Sequence, residues 1–382
     1  MLILAMNMTI NAPNKFFEGV AKTIEQARAY VGRTADLAMC ATYFEIGRMI
    51  VQEEQGGSVR AEYGKGLLTS LSAYLSERVG KGFSETTLKN ARKFYQVYSP
   101  SIRQTMLAEL SPNRKPSNEP GKEHVMPIKS YPFTLGWSHY LILIRIQDPD
   151  ERRFYEIEAT RKQWTFRELQ RQYGSSLYER LALSRDKDGV MKLAREGQAI
   201  EKPTDLLKNP LVLEFLDMAE LPQYSESDLE SAIIGKMQAF LLELGSGFLF
   251  EARQKRFTFD EQHFMVDLVL YNRLLQCYVL IDLKTDTVKH QDLGQMQMYV
   301  HYYDRCVKTE NERPTVGILL CREKNDMLVE LTLPEGENIY ASEYSLYLPN
   351  KALLQSKLAE WIKEFEESRN LFDRAAPCPP DP

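Results

Sequence analysis

Apolar residues recur at spacings of three and four through most of the first half of the chain. The segments ATYFEIGRMIVQEE (41–54) and GLLTSLSAYLSERV (66–79) show this pattern, which is typical of amphipathic helices that bury one face. The pattern extends from Lys15 to Tyr98 and resumes at WSHYLILIRI (137–146). The first half is therefore predicted to be all-α.

The pattern changes near Leu229. A helical stretch, LESAIIGKMQAFLLELG, precedes short runs rich in β-branched and aromatic residues at FLFEARQKRFTF, HFMVDLVLY and CYVLIDLK. A second helical stretch, QDLGQMQMYVHYYDR, and a further apolar run, TVGILLC, follow. The order helix, three strands, helix, strand predicts an α/β sandwich core.

These patterns predict two domains. A helical N-terminal domain is expected at 15–184, with a flexible loop at 111–124, where SPNRKPSNEPGKEH offers no periodic apolar face. The charged and weakly periodic residues 185–205 are expected to connect it to an α/β domain at 206–367. Residues 373–382 have too little apolar surface to bury and are expected to be disordered.

Composition narrows the class of protein. With 43% apolar and 26% charged residues, the 382-residue chain has the profile of a packed globular protein. Because the formal net charge is −5, any binding of nucleic acid must rely on local patches of Lys and Arg. The five cysteines are dispersed without a CxxC pair, and no apolar run reaches the roughly 18 residues that a membrane helix needs. A cytoplasmic protein without membrane association is expected.

Two aspartates interrupt runs that otherwise read as buried strands. Asp267 lies in HFMVDLVLY and Asp282 in CYVLIDLK, where a buried charge costs several kcal/mol unless it is compensated. If Arg273–Gln276 forms a four-residue hairpin loop, Asn272 pairs with Cys277, and Asp267 then lies opposite Asp282. Two facing carboxylates repel each other, and a hard divalent cation relieves that repulsion. Mg²⁺ or Mn²⁺ is the expected cofactor.

Lys284 lies two residues after Asp282, on the same face of the strand. Its ammonium group can orient an attacking water molecule and neutralise charge that develops on a phosphate. The alternative is a structural ion pair between Asp282 and Lys284 at the strand end. The facing Asp267 and the helix that follows favour the catalytic interpretation.

Three further residues are candidates for the same site. Glu230 opens the helix near Leu229, on a face lined by apolar residues that point inward. The alternative for Glu230 is a capping box, because SDLE has a Ser at position 227 and a Glu three residues later. Gln295 and Tyr299 share a helix face, although an aromatic packing stripe would show the same spacing.

A basic segment in the N-terminal half is a candidate surface for nucleic acid. The segment LLTSLSAYLSERV, the GKGF turn and SETTLKNARKFYQVY predict a helix, a short turn and a second helix with Ser84 as its N-cap. The second helix and the turn carry four cations: Lys81, Lys89, Arg92 and Lys93. They fit a helix-turn-helix that contacts phosphates, and equally a helical hairpin with a solvated basic face.

The segment from LGSGFLFEARQKRFTF to the QMQMYV helix resembles the nuclease domain of the YhcG-like family in the PD-(D/E)xK superfamily. The resemblance implies a restriction-endonuclease-like αβββαβ core, with Asp267 as the motif aspartate and Asp282 and Lys284 as its (D/E)xK part. It also implies a metal-site role for Glu230 and matches Gln295 and Tyr299 to the QxxxY element of RecB-type nucleases. Many relatives have ELK where this chain has DLK. Segments such as YFEIGRMIVQEEQ resemble the helical domain that accompanies this nuclease.

These observations together predict a metal-dependent nuclease. The expected metal ligands are Glu230, Asp267 and Asp282, and the expected substrate is nucleic acid, DNA rather than RNA. A homodimer is expected, since cutting both strands of a duplex needs two active sites. The alternatives are a non-catalytic DNA-binding or defence-associated regulator that keeps a nuclease-like fold, and a toxin-like nuclease acting on RNA.

Overall fold

The chain divides into two units, one up to Arg152 and one from Arg153 onward. The structure, a computed structural model, describes residues 15–56, 61–109, 131–184, 187–218, 223–259, 261–334 and 336–360. The loop predicted at 111–124 and the disordered tail predicted at 373–382 lie outside the described residues.

The described part of the first unit is helical, as the spacing of apolar residues predicts. Its helices are α1 (Lys15–Gly56), α2 (Ala61–Arg78), α3 (Glu85–Glu109), α4 (Trp137–Leu143) and the beginning of α5 (Pro149–Arg161). Gly47 lets α1 and α3 approach closely, because a Cβ atom there would lie 2.1 Å from the carbonyl oxygen of Ala91. Ser84 caps α3 as predicted, accepting a hydrogen bond of 3.3 Å from the backbone N–H of Thr87.

An aromatic cluster forms the core of this unit. Phe94 is fully buried, and its ring lies 5.7 Å from Phe44, 4.9 Å from Phe133 and 4.9 Å from Tyr140, measured between ring centroids. Such pairs are favoured beyond the area they bury, each by about 0.5–1.5 kcal/mol. The cluster therefore fixes α1, α3 and α4 against one another.

The second unit combines a sheet with helices. Its helices are α6 (Phe166–Gly174), α7 (Leu177–Ala182), α8 (Lys187–Glu196), α9 (Glu226–Gly235), α10 (Met237–Leu244), α11 (His290–Tyr302) and α12 (Asp326–Thr332), with further helical residues at 351–360. Its strands are β1 (Leu211–Val212), β2 (Phe248–Phe259), β3 (Gln262–Asn272), β4 (Cys277–Leu283), β5 (Val316–Cys321) and β6 (Ile339–Ser345). No helix in the described ranges has the length and apolar character needed to cross a bilayer.

The six strands form one mixed sheet in the order β1-β6-β5-β4-β3-β2. β2, β3 and β4 are antiparallel neighbours, whereas β4, β5, β6 and β1 run parallel. Leu229 of α9 and Phe240 of α10 pack on one face, and Met296 of α11 packs on the other. This arrangement confirms the predicted αβββαβ core, to which β6 and the short β1 add two strands that the sequence pattern did not indicate.

Two helical segments differ from the sequence-based expectation. The stretch 229–245 was expected to be one helix, but it breaks at Lys236, next to a glycine that disfavours a continuous helix. Residues 185–205 were expected to be a connecting segment, but they contain α8, whose Leu193 and Ala194 are buried. The sequence pattern did not indicate this helix, because a helix of ten residues has few repeats of its apolar spacing.

A buried ion pair joins helices α7 and α10 within the second unit. Nη1 of Arg180 in α7 lies 2.6 Å from Oε1 of Glu243 in α10, and both side chains are completely buried. Arg171 of α6 also contacts Glu243, and Lys208 donates a hydrogen bond to its backbone carbonyl. These helices lie in the second unit, which begins at Arg153, and the domain limits drawn from the sequence stay a prediction.

Candidate active site

The predicted register of the β3–β4 hairpin is confirmed. Asn272 pairs with Cys277, and the ladder runs on to Leu268 and Ile281, so Asp267 and Asp282 are the first residues beyond its last pair. The side chains of Asp267 and Asp282 interact directly there, through their charges and a hydrogen bond. The two carboxylates therefore converge, as the sequence predicts.

Asp267 occupies an irregular point in β3. Val266 belongs to the core cluster on the α11 side of the sheet, whereas Leu268 belongs to the cluster on the opposite side. The alternation of faces is therefore broken at Asp267, between the residues that pair with Arg253 and Lys255 of β2. The carboxylate of Asp267 reaches toward β4. There its Oδ2 accepts a hydrogen bond of 2.8 Å from the backbone N–H of Leu283.

The pKa values of both aspartates are raised. Burial, with the nearby Asp282 and Glu230, raises the pKa of Asp267 to about 7 against the effect of the Leu283 hydrogen bond and Lys284. Burial also raises the pKa of Asp282, although Lys284 opposes this. Carboxylates with raised pKa values in a shared pocket are typical of functional sites, because stability alone would not favour them.

Lys284 lies among carboxylates. Its Nζ is 2.8 Å from Oδ2 of Asp282 and 3.6 Å from Oε2 of Glu226, the first residue of α9. Burial alone would lower the pKa of Lys284, but Asp282 and Glu226 raise it overall. The lysine is thus held fully protonated, as a group that stabilises negative charge must be.

Glu230 does not cap its helix. Helix α9 begins at Glu226, and Ser225 caps it by accepting a hydrogen bond of 3.2 Å from the N–H of Asp228, whose carboxylate returns to the backbone of Ser225. The alternative of a capping box from Ser227 to Glu230 is therefore wrong. Both serines stand three residues before an acidic residue, and the structure uses the earlier one.

Glu230 instead lies near Asp267, whose pKa it raises. Its side chain is buried, and its Oε2 accepts a hydrogen bond of 2.6 Å from Nε2 of Gln254 in β2. Its other oxygen, Oε1, is buried without a hydrogen-bond partner among the described residues. Because an unsatisfied buried carboxylate oxygen is costly, this atom is a candidate ligand.

Gln295 and Tyr299 border the same site from α11. The Nε2 of Gln295 donates a hydrogen bond to the hydroxyl of Tyr299, which donates one of 2.8 Å to the carbonyl of Met265 in β3. Burial raises the pKa of Tyr299, and Asp282 and Asp267 add to this effect, which places the hydroxyl within electrostatic range of both carboxylates. The shared helix face predicted from the spacing of four is thus directed at β3.

The donor set fits a hard divalent cation, although it is not a preformed cage. Within the described ranges, no group of three or more His, Cys, Asp or Glu side chains is arranged to hold a metal ion. Asp267 and Asp282 nevertheless supply neighbouring oxygens, and Glu230 supplies the unpartnered Oε1. Oxygen donors of this kind suit Mg²⁺ or Mn²⁺.

Three residues near the site were not assigned a role from the sequence. Glu226 contacts Lys284, Gln254 holds Glu230, and Asp292 of α11 raises the pKa of Asp282. The family resemblance covers Gln254 without assigning it a function. Glu226 and Asp292 give only the signal of acidic residues in a first helical turn, which helix capping explains equally well.

The four basic candidates lie in the first unit and are not all free. Nζ of Lys89 is 2.6 Å from Oε1 of Glu85, and Nη1 of Arg92 is 2.6 Å from Oε1 of Glu54. Lys81 and Lys93 are exposed. Two of the four cations on this surface are therefore already paired with a carboxylate.

Comparison with known proteins bears directly on this site. Residues 204–359 match the model of the YhcG PDDEXK nuclease domain, and residues 19–180 match that of the DUF1016 N-terminal domain. The chain is 37% identical over 356 residues to the protein named "Putative nuclease YhcG" from Escherichia coli (strain K12), an alignment covering 92% of this chain and 94% of the relative. The chain belongs to the YhcG family. It therefore carries the PDDEXK nuclease domain of that family, and the predicted membership is confirmed.

Two solved structures also resemble this YhcG-family chain. A repair endonuclease from Pyrococcus abyssi is 18% identical, with a TM-score of 0.23, over 35% of this chain and 51% of that one. The EndoMS–dsDNA2 complex is 17% identical, with a TM-score of 0.24, over 35% of this chain and 49% of that one. Similarity at this level carries no inference about substrate.

Proposed function

We propose that this YhcG-family protein is a divalent-metal-dependent nuclease that hydrolyses phosphodiester bonds of DNA. The observation that carries the proposal is the convergence of Asp267 and Asp282 from paired strands beside the ammonium group of Lys284. Glu230 and its unpartnered oxygen complete the oxygen donors.

The charge of each side chain would determine its role. Asp267 and Asp282, with Glu230, would hold Mg²⁺ or Mn²⁺, which when bound supplies a Lewis acid for the phosphate and for water. Lys284 would place its positive charge against the negative charge that develops on the phosphate oxygens. Gln295 and Tyr299 would position β3 and border the substrate from α11. Each role depends on the side chain's own charge or hydrogen bonds.

DNA is proposed as the substrate because Gln295 and Tyr299 match the element of RecB-type nucleases. The second candidate function is a DNA-binding regulator that has lost catalysis. The intact Asp267, Asp282 and Lys284 favour the enzyme, since a binding protein gains nothing from buried carboxylates that repel both each other and a phosphate backbone.

The purified protein should be incubated with supercoiled, linear and branched DNA and with RNA, with Mg²⁺ or Mn²⁺ or with EDTA, beside an Asp282→Asn variant. Cleavage of DNA only with metal, lost in the variant, is the expected result. Cleavage of RNA alone would change the substrate class. Binding without cleavage of any substrate by the parent would support the regulator instead.

Two further expectations stay predictions. The homodimer rests on the need for two active sites in cutting a duplex, and the molar mass measured by light scattering tests it. A cytoplasmic location is tested by fractionating cells that produce the protein.

A further inference from the structure

The edge strand β2 carries three exposed cations in four consecutive positions: Arg253, Lys255 and Arg256. Within the part of the chain that the structure describes, none of the three forms an ion pair. This differs from Lys89 and Arg92 of α3, which each contact a glutamate. The positive charge of β2 is therefore available to a ligand.

These cations flank the proposed active site. Arg253 pairs with Leu268 and Lys255 with Val266, so they stand across β2–β3 from the residues on either side of Asp267. Gln254, between them, donates the hydrogen bond that holds Glu230. A phosphate bound by this strand would thus lie next to the residues proposed to cleave one.

Charge on an edge strand has a simpler explanation, since charged edges prevent sheets from pairing with one another. Mixed charges would serve that purpose equally well. Glu251, on the same strand, raises the pKa values of Tyr278 and Tyr303 and forms no ion pair with the three cations in the described structure. Protection of the edge therefore does not account for a run of one sign beside an acidic site.

We propose that Arg253, Lys255 and Arg256 form a phosphate-binding strip that holds the backbone of the DNA substrate beside the cleaved bond. The proposal rests on the nuclease function proposed above. A strand rises about 3.3 Å per residue, so the strip spans roughly 10 Å. A duplex carries one phosphate per about 3.4 Å of axis on each strand, so a strip of this length lies alongside a few phosphates of one strand.

The test compares two triple variants of equal charge change. In one, Arg253, Lys255 and Arg256 are replaced by Ala; in the control, the exposed Lys22, Arg28 and Arg33 of α1 are replaced by Ala. Binding to a fluorescent duplex is measured in EDTA by anisotropy over a range of salt concentrations. The β2 variant should lower the slope of log K against log salt by about 0.9 for each lost phosphate contact. The control should keep the parent slope.

A charge-preserving variant, Arg253→Lys with Lys255→Arg and Arg256→Lys, should keep most of the parent slope and shows that the strip acts through charge. Circular dichroism and unfolding midpoints confirm that each variant folds. The proposed strip would be contradicted if the β2 variant and the parent had equal salt slopes. It would also be contradicted if the β2 and control variants lowered the salt slope equally.

Cleavage with Mn²⁺ separates this proposal from the nuclease function. If the parent cleaves and the β2 variant binds and cleaves like it, the strip is wrong and the nuclease function stands. If the parent binds DNA without cleaving it and the β2 variant shows a lower salt slope of binding, the strip is supported and the nuclease function is contradicted. A parent that neither binds nor cleaves overturns both.

Discussion

Nε2 of Gln254 donates a hydrogen bond of 2.6 Å to Oε2 of Glu230, and so joins the edge strand to helix α9. Gln254 has a φ of 44°, in the left-handed region that non-glycine residues rarely adopt. Strained backbone of this kind persists where the surrounding structure holds it, and it is concentrated at functional sites. The hydrogen bond fixes which oxygen of Glu230 remains free.

Gln254→Ala should therefore weaken the response to metal. Loss of a side chain that orients a metal ligand lowers metal affinity or activity by roughly 10- to 100-fold. The measurement is the cleavage rate as a function of Mn²⁺ concentration. Gln262→Ala, at an exposed glutamine of β3, is the matched control and should behave like the parent. Equal Mn²⁺ dependence in all three proteins would show that Glu230 needs no support from Gln254.

Lys284→Ala and Asp282→Asn should fail in different ways. Asp282→Asn removes a proposed ligand charge, so calorimetric titration should show much weaker Mn²⁺ binding as well as lost cleavage. Lys284→Ala removes no ligand, so Mn²⁺ should still bind, while single-turnover cleavage slows by about 2.7–4 kcal/mol of transition-state stabilisation. If both variants cleave as the parent does, the pair Asp282–Lys284 is structural.

Asp267→Asn should stabilise the metal-free protein. Burial and Asp282 raise the pKa of Asp267 to about 7 from its ordinary value of 3.8. The folded state therefore binds this proton more tightly, and the free energy of unfolding falls as the pH rises from about 4 to about 7. In EDTA at pH 8, Asp267→Asn should raise the unfolding midpoint, because Asn keeps an oxygen to accept the Leu283 hydrogen bond. A lower midpoint than the parent would contradict this account.

Glu243→Ala should destabilise the second unit strongly. The buried guanidinium of Arg180 would lose its carboxylate, and breaking a buried pair in this way costs about 3–5 kcal/mol. Glu214→Ala is the matched control, since Glu214 contacts Arg171 with partial exposure and should contribute about 1 kcal/mol or less. Urea unfolding followed by fluorescence measures both, and similar losses would contradict the central role of Glu243.

The cations of α3 and its preceding turn should contribute unequally to DNA binding. Lys89 and Arg92 are already paired with glutamates, whereas Lys81 and Lys93 are exposed. The double variant Lys81→Ala with Lys93→Ala should lower the salt slope of binding by up to about 0.9 per contact, and Lys89→Ala with Arg92→Ala by less. No change in either would leave this helix with a structural role.

The sequence by itself determined the αβββαβ core of the second unit and the hairpin pairing that brings the two aspartates together. The order of helices and strands followed from apolar spacing, and the register of Asp267 and Asp282 followed from the four-residue loop between Asn272 and Cys277. Both are local properties, because strand alternation and hairpin length are set by neighbouring residues. The family also followed from contiguous segments.

Only the tertiary structure decided which partner each side chain takes. Ser225 and Ser227 both satisfy the capping rule, and the packing of α9 selects Ser225, which frees Glu230 for Gln254. Nothing in the segment around Arg180 indicates its ion pair, which forms because α7 packs beside Glu243. The spacing of Lys89 and Arg92 likewise indicates a solvated basic face, whereas the structure pairs both residues with glutamates. The free energy of a charged side chain depends on what lies within a few ångströms, and for many of these residues that neighbour is distant in sequence.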